Sequence, residues 1–161
     1  MNHIAGYGDF RYEVAPDVQT RRLRKEMGEE AFVSYVIERS NGEEMYAALM
    51  RVPHYSTAAR DRLLEAIAQS GHVRAIYLTC AAYKGIPKKA RTALIRAVIN
   101  AKDPEGAYNL LCQKHQLATS ERKELLQIVA VDSFYADCTH GCSQQITNEE
   151  RSALMDALKR S

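Results

Sequence analysis

Tryptophan is absent from this sequence, and cysteine is scarce: four in 161 residues. Four thiols in a chain of this length do not make the disulfide scaffold of a small secreted domain. Cys80 and Cys112 fall inside apolar helical patterns, where a thiol behaves as a small hydrophobe, so the cysteine usage reads as that of a reducing compartment. No run approaches the 18 apolar residues of a membrane span. The first residues, MNHIAGYGDFRYEVAPD, lack the basic-then-apolar order of a signal peptide. The expectation is a cytoplasmic protein; a polar leader that addresses a specialised export system is the alternative. Excess charge is missing too. Lys and Arg number 22 against 20 Asp and Glu, a net charge of +2, so only local clustering can attract nucleic acid or a membrane surface. Finally, there is no G-x-S-x-G, no Walker lysine loop, no H-E-x-x-H and no G-x-G-x-x-G between a strand and a helix. An enzyme is not expected, and neither is a cofactor.

What the chain does have is a period. Apolar residues are 46% of it and charged residues 26%, ordinary globular usage. A shift of 31 residues superposes apolar positions on apolar positions. Phe32, Leu63, Leu94 and Leu125 make one column; Val33, Leu64, Ile95 and Leu126 a second; Val36, Ile67, Val98 and Val129 a third; Tyr46, Tyr77 and Tyr108 a fourth. Self-similarity at a fixed period of this size is the mark of a repeat array. Within each unit the apolar residues recur at helical spacing.

Taken in order, residues 1–17 show no helical period and read as a flexible arm carrying Tyr7, Phe10 and Tyr12. Asp17 is a candidate cap for a short helix from Val18 to Met27, with a basic run at Arg21, Arg22, Arg24 and Lys25. Helices are expected from Glu29 to Arg39 and Glu43 to Arg51, joined by Ser40-Asn41-Gly42. Ser56 or Thr57 caps the next, which turns at Ser70-Gly71 and returns over Val73–Tyr83. Pro87 opens the third unit and Asp103-Pro104 its returning helix. Thr119 or Ser120 caps the fourth, whose turn at Val131–Ser133 is about four residues shorter. Thr147 and Glu150 form a capping box, T-x-x-E, for a last unpaired helix. The domain then runs over 18–161, with repeats at about 24–54, 55–85, 86–116 and 117–145 and a capping helix at 146–160.

A pair of three-turn helices cannot bury its stripe alone, so the units must stack. The expected fold is all-α, a right-handed α-solenoid of about four and a half 31-residue helical hairpin repeats. Over about residues 28 to 158 the chain resembles the α-solenoid class, the HEAT-like, armadillo-like and tetratricopeptide-like arrays. The resemblance implies an extended binding face. The period differs from the 34 residues of tetratricopeptides and the 33 of ankyrins, and W-x2-L-G-x2-Y and T-P-L-H are both missing. No family's site residues carry over.

Three groups of residues are candidates. The tyrosine column reads as core with hydroxyls reaching an edge. Arg60, Arg91 and Arg122 recur in the first turn of successive helices, with Lys88 and Lys89 near them; a ladder of that kind suits phosphates or an acidic peptide. Asp61, Glu65, Glu121 and Glu124 interleave with it and favour a solvated face. Cys112, His115, Cys138, His140 and Cys142 offer soft ligands, but at spacings unlike a zinc signature, so no metal is expected. The leading expectation is a non-enzymatic scaffold holding a protein or peptide partner on solvent-side positions of the returning helices: Arg51, Arg74, Lys84, Asn109 and Gln113. Nucleic-acid binding by the arginine ladder is the alternative.

Overall fold

The computed structural model describes residues 16–113, 117–139 and 147–160. Among them are ten helices and no strand: α1 (Pro16–Met27), α2 (Glu29–Arg39), α3 (Gly42–Arg51), α4 (Thr57–Gln69), α5 (Val73–Ala82), α6 (Lys88–Ala101), α7 (Pro104–Cys112), α8 (Thr119–Ala130), α9 (Ser133–Thr139) and α10 (Asn148–Arg160). Residues 1–15 of the expected arm lie outside the described residues. The arm's last two residues belong instead to α1, which Pro16 opens: a proline lacks the N–H that a first helical turn leaves unpaired, and its φ suits the helix.

Side-chain caps mark five of the starts, those of α3, α4, α7, α9 and α10. Ser56 accepts from the Ala59 N–H at 3.2 Å, and Asp103 accepts from the Gly106 N–H at 2.7 Å ahead of Pro104. Asn41 and Glu44 form a capping box that turns Ser40-Asn41-Gly42 into the start of α3. Thr147 and Glu150 form the expected one. At α8 the cap position is Ala118, one residue before the candidates Thr119 and Ser120. The Glu121 carboxylate takes up the Ala118 N–H at 3.0 Å, so no hydroxyl is needed there. At α6, Pro87 is the cap residue and the helix proper begins at Lys88.

Each helix packs on the next and on the next but one, and none of the described helices reaches further along the chain. The helices therefore sort into two rows, α2, α4, α6, α8 and α10 in one, α1, α3, α5, α7 and α9 in the other. The core runs between the rows. Phe32, Leu63, Leu94 and Leu125 are all fully buried, as are Val36, Ile67, Val98 and Val129. Burying each such side chain contributes on the order of 1.5–3 kcal/mol. Leu126 is half-buried, the one exception in the three aliphatic columns. The backbone repeats its conformation as well. Gly71 and Lys102, 31 residues apart, have φ of 74° and 52°; His54 and Gly85, also 31 apart, have φ of 60° and 76°. Left-handed φ is strained for His and Lys, and here each falls where its counterpart is glycine. Among the described residues no helix is long and apolar enough to cross a membrane.

Candidate binding surface

The arginine ladder lies on the first turns of α4, α6 and α8, and two of its three rungs are engaged by carboxylates. Arg60 donates through Nε and Nη2 to Asp61 at 3.0 and 2.9 Å. Arg122 grips Glu150 of α10 through both Nε and Nη2, the latter at 3.0 Å. Arg91 differs: its Nε is buried without a hydrogen-bond partner. Lys88 and Lys89 are exposed at the start of α6. Further along the same row, Arg62 of α4 pairs with Glu30 of α2 at 2.9 Å, and Arg96 of α6 with Glu124 of α8 at 2.9 Å. Of the interleaved acids noted in the sequence, Glu124 binds an arginine of the neighbouring helix, Asp61 binds Arg60 beside it, and Glu121 caps its own helix.

The residues expected on the returning helices are less uniform. Arg74 on α5 and Lys84 in the turn after it are exposed; Arg51, at the end of α3, is half-buried and its carbonyl accepts from Arg21 Nε at 3.4 Å. Asn109 turns its amide back to the Glu105 carbonyl at 2.8 Å. Gln113 reaches across to α5, donating to the Tyr77 carbonyl at 2.9 Å, while its Oε1 is buried and unpaired. The Gln113 amide therefore ties α7 to α5, while that of Asn109 bonds within its own helix. Tyr77 is buried and its hydroxyl reaches Glu105 at 3.3 Å, a core side chain with its polar end at an edge. Burial, with the Glu105 carboxylate beside it, raises its phenol above the usual range.

Apolar surface is concentrated where the chain approaches α9. An open groove of about 290 Å³ lies between the C-terminal halves of α6 and α8, lined by Ile99, Ile128 and Val131, with Lys102, Glu124 and Gln127 at its polar positions. Val131 is 77% exposed, and Phe134, three residues on, is 65% exposed. Phe134 stands edge-on to Tyr135 with ring centroids 5.0 Å apart, and Tyr135 is 5.7 Å from Tyr108. These residues were not among the sequence candidates. The signal was present but faint: a valine at a turn, and a phenylalanine just after a shortened turn, where the earlier unit has Ala107.

The cysteines require a correction. Cys80 is a buried free thiol, pushed up to about 12 by burial, against which the nearby Arg91 charge acts only in part. Cys112, expected to behave as a small hydrophobe in the core, is half-buried and disulfide-bonded. Position 112 closes α7 at its exit, where a side chain is only partly covered. A sulfur held in a disulfide has no thiolate to give a metal. Among the described residues no group of three or more His, Cys, Asp or Glu is placed to hold a metal ion. His115, His140 and Cys142 lie outside the described residues.

The chain matches no family model, none of the curated proteins and none of the solved structures it was compared with.

Proposed function

We propose that the chain is a short right-handed α-solenoid of about four and a half helical hairpins, and that it works as a non-enzymatic scaffold that binds a protein or peptide partner. The packing of helices only with first and second neighbours supports the array, because in a solenoid each unit touches only the units beside it. The observation that carries the function is the exposed pair Val131 and Phe134 beside the α6–α8 groove. Among the described residues most of the large apolar side chains are buried, and six arginines are paired with carboxylates. Exposed aromatic and aliphatic groups next to a concavity are the usual anchors of a partner. A photo-crosslinking side chain placed at position 134 is expected to capture a discrete partner that one at exposed Ala81 does not. Ile128→Asp is expected to abolish that capture. Equal capture at both positions would sink the reading.

Nucleic-acid binding is the second reading. Lys84, Lys88 and Lys89, all exposed around the start of α6, support it; the carboxylates on Arg60 and Arg122 count against it. Anisotropy of labelled DNA and RNA separates the two. Several phosphate contacts would weaken binding by about 10³ between about 50 and 200 mM salt. No binding at the lower salt removes this reading.

A further inference from the structure

Asn41 precedes Gly42, and no other asparagine in the sequence precedes a glycine. That pair carries its own chemistry. The backbone nitrogen after an asparagine can attack the side-chain carbonyl carbon, and a glycine, with no Cβ, leaves the approach least hindered. In an open chain the reaction needs only water and a base. The fold opposes it at three points. Asn41 is the N-cap of α3: its Oδ1 accepts from the Glu44 N–H at 3.0 Å, and its own N–H donates to the Glu44 carboxylate at 2.9 Å. Ring closure requires the Asn41 Cβ to eclipse the Gly42 nitrogen about the Cα–C bond, and at a ψ of 177° the two are staggered. Asn41 itself is exposed, but Gly42 is buried, which keeps a base from its N–H.

We propose that Asn41-Gly42 is a deamidation site latched by the capping box, with Glu44 as the latch. When the first turn of α3 opens, a base takes the Gly42 amide proton and the nitrogen attacks Asn41 Cγ. The N–Cγ bond forms, the Cγ–Nδ2 bond breaks and ammonia leaves, which closes a succinimide. Water then adds to one of the two ring carbonyls and breaks its bond to nitrogen. The product is aspartate or isoaspartate at position 41; nothing is oxidised or reduced. Isoaspartate sends the main chain through one more methylene just ahead of Gly42. There is no slack to absorb it, since even a Cβ on Gly42 would meet Ser70 Oγ at 2.5 Å and His72 Cβ at 2.6 Å. The modified chain cannot remake the cap, and α3, which packs on α1, α2, α4 and α5, loses its anchored start. The reaction thus makes a local opening of α3 irreversible.

The test incubates the full chain in mildly alkaline buffer, with and without denaturing urea. Samples are digested under acidic conditions and mapped by mass, with fragment ions distinguishing the two products. Native wild type is expected to deamidate at position 41 at least about tenfold more slowly than the same chain in urea. Native Glu44→Ala is expected to react about 3- to 10-fold faster than native wild type. Glu44→Gln, which keeps an acceptor for the Asn41 N–H, is expected to return toward the wild-type rate. Each native rate is taken relative to the same variant in urea, so that intrinsic differences cancel. Wild-type chains bearing isoaspartate at position 41 are expected to unfold at lower urea than unmodified ones. Equal native and urea rates in wild type, equal native rates in Glu44→Ala and wild type, or an unchanged unfolding midpoint for the isoaspartate chains overturns the proposal. The first and last of these comparisons need no variant to fold.

Discussion

The two rows of helices are held along their length by different interactions. In the row of α2, α4, α6, α8 and α10, neighbours are joined by ion pairs: Glu30–Arg62, Arg96–Glu124 and Arg122–Glu150. In the row of α1, α3, α5, α7 and α9 the links are a guanidinium on a carbonyl, a phenol on a carboxylate, an amide on a carbonyl and a pair of rings: Arg21–Arg51, Tyr77–Glu105, Gln113–Tyr77 and Tyr108–Tyr135. The first kind of link stays wet and paired. From α5 onward the second is partly buried, and it ends in the exposed apolar surface at Phe134. Two rows of helices therefore need not be alike even when the apolar columns between them recur, because the core sets the fold and the outer contacts set the character of each side.

The core shared by the rows is the first thing to break. Leu64 is fully buried in α4, between α2 and α6, so Leu64→Ala leaves a cavity at the centre of the stack. A loss of about 2–5 kcal/mol is expected in urea unfolding, more than any contact specific to one row can give. Next comes close approach. A Cβ on Gly42 would meet Ser70 Oγ at 2.5 Å and His72 Cβ at 2.6 Å; the hydroxyl can turn away, but the histidine Cβ moves only with its backbone. Gly42→Ala is expected to cost about 1–3 kcal/mol by overpacking. At Gly71 nothing lies within 4 Å of the same atom, and only the φ of 74° opposes it. Gly71→Ala is therefore expected to cost about 1 kcal/mol, from strain alone. A Gly71 variant less stable than the Gly42 variant would reverse this order.

Ion pairs come after the core, and the most sheltered is the strongest test of the row that uses them. Both partners of Arg122–Glu150 are 23% exposed. Burial pushes the Glu150 carboxyl up, but the hydrogen bonds from Arg122 and Thr147 and the Arg122 charge outweigh it, and the net shift is downward. Glu29 is also lowered, by hydrogen bonds from Ser56 and by Arg24. A lowered carboxyl stabilises the fold above its unfolded value, roughly pH 4.3. That contribution fades as pH falls through the folded value. Arg122→Ala is expected to cost about 1–2 kcal/mol at pH 7. Between pH 5 and pH 3, measured by urea midpoint, wild type should lose more stability than Glu150→Gln. Equal losses would mean that the pair contributes nothing.

Much of this was legible in the sequence because it is local. The span Glu29–Arg39, the caps at Ser56 and Asp103, and the box at Thr147 and Glu150 depend on residues within four positions of one another. The buried columns follow from helical spacing alone. The fate of the arginine ladder was not legible, since Arg122 meets Glu150 and Arg62 meets Glu30 only once the stacking offset between helices is known. The reach of Gln113 was not legible either: its amide bonds to a carbonyl of α5, the next helix but one. Val131 and Phe134 escaped notice because the shortened turn breaks the period at that point.

The smallest expected effect is at the exposed end of the same row. Arg62 and Glu30 are 42% and 68% exposed at the side chain, and Arg62 also donates to Ser34 Oγ at 2.9 Å. Water competes for both charges, and two long side chains must be ordered to hold one geometry. A double-mutant cycle with Arg62→Ala and Glu30→Ala is expected to return a coupling of about 0–0.5 kcal/mol, reduced further by salt. The Arg122–Glu150 cycle should exceed it, since both of those side chains are 23% exposed. If the exposed pair proved equal to the sheltered one, water would not be what sets the strength of these links, and the contrast between the two rows would rest on geometry instead.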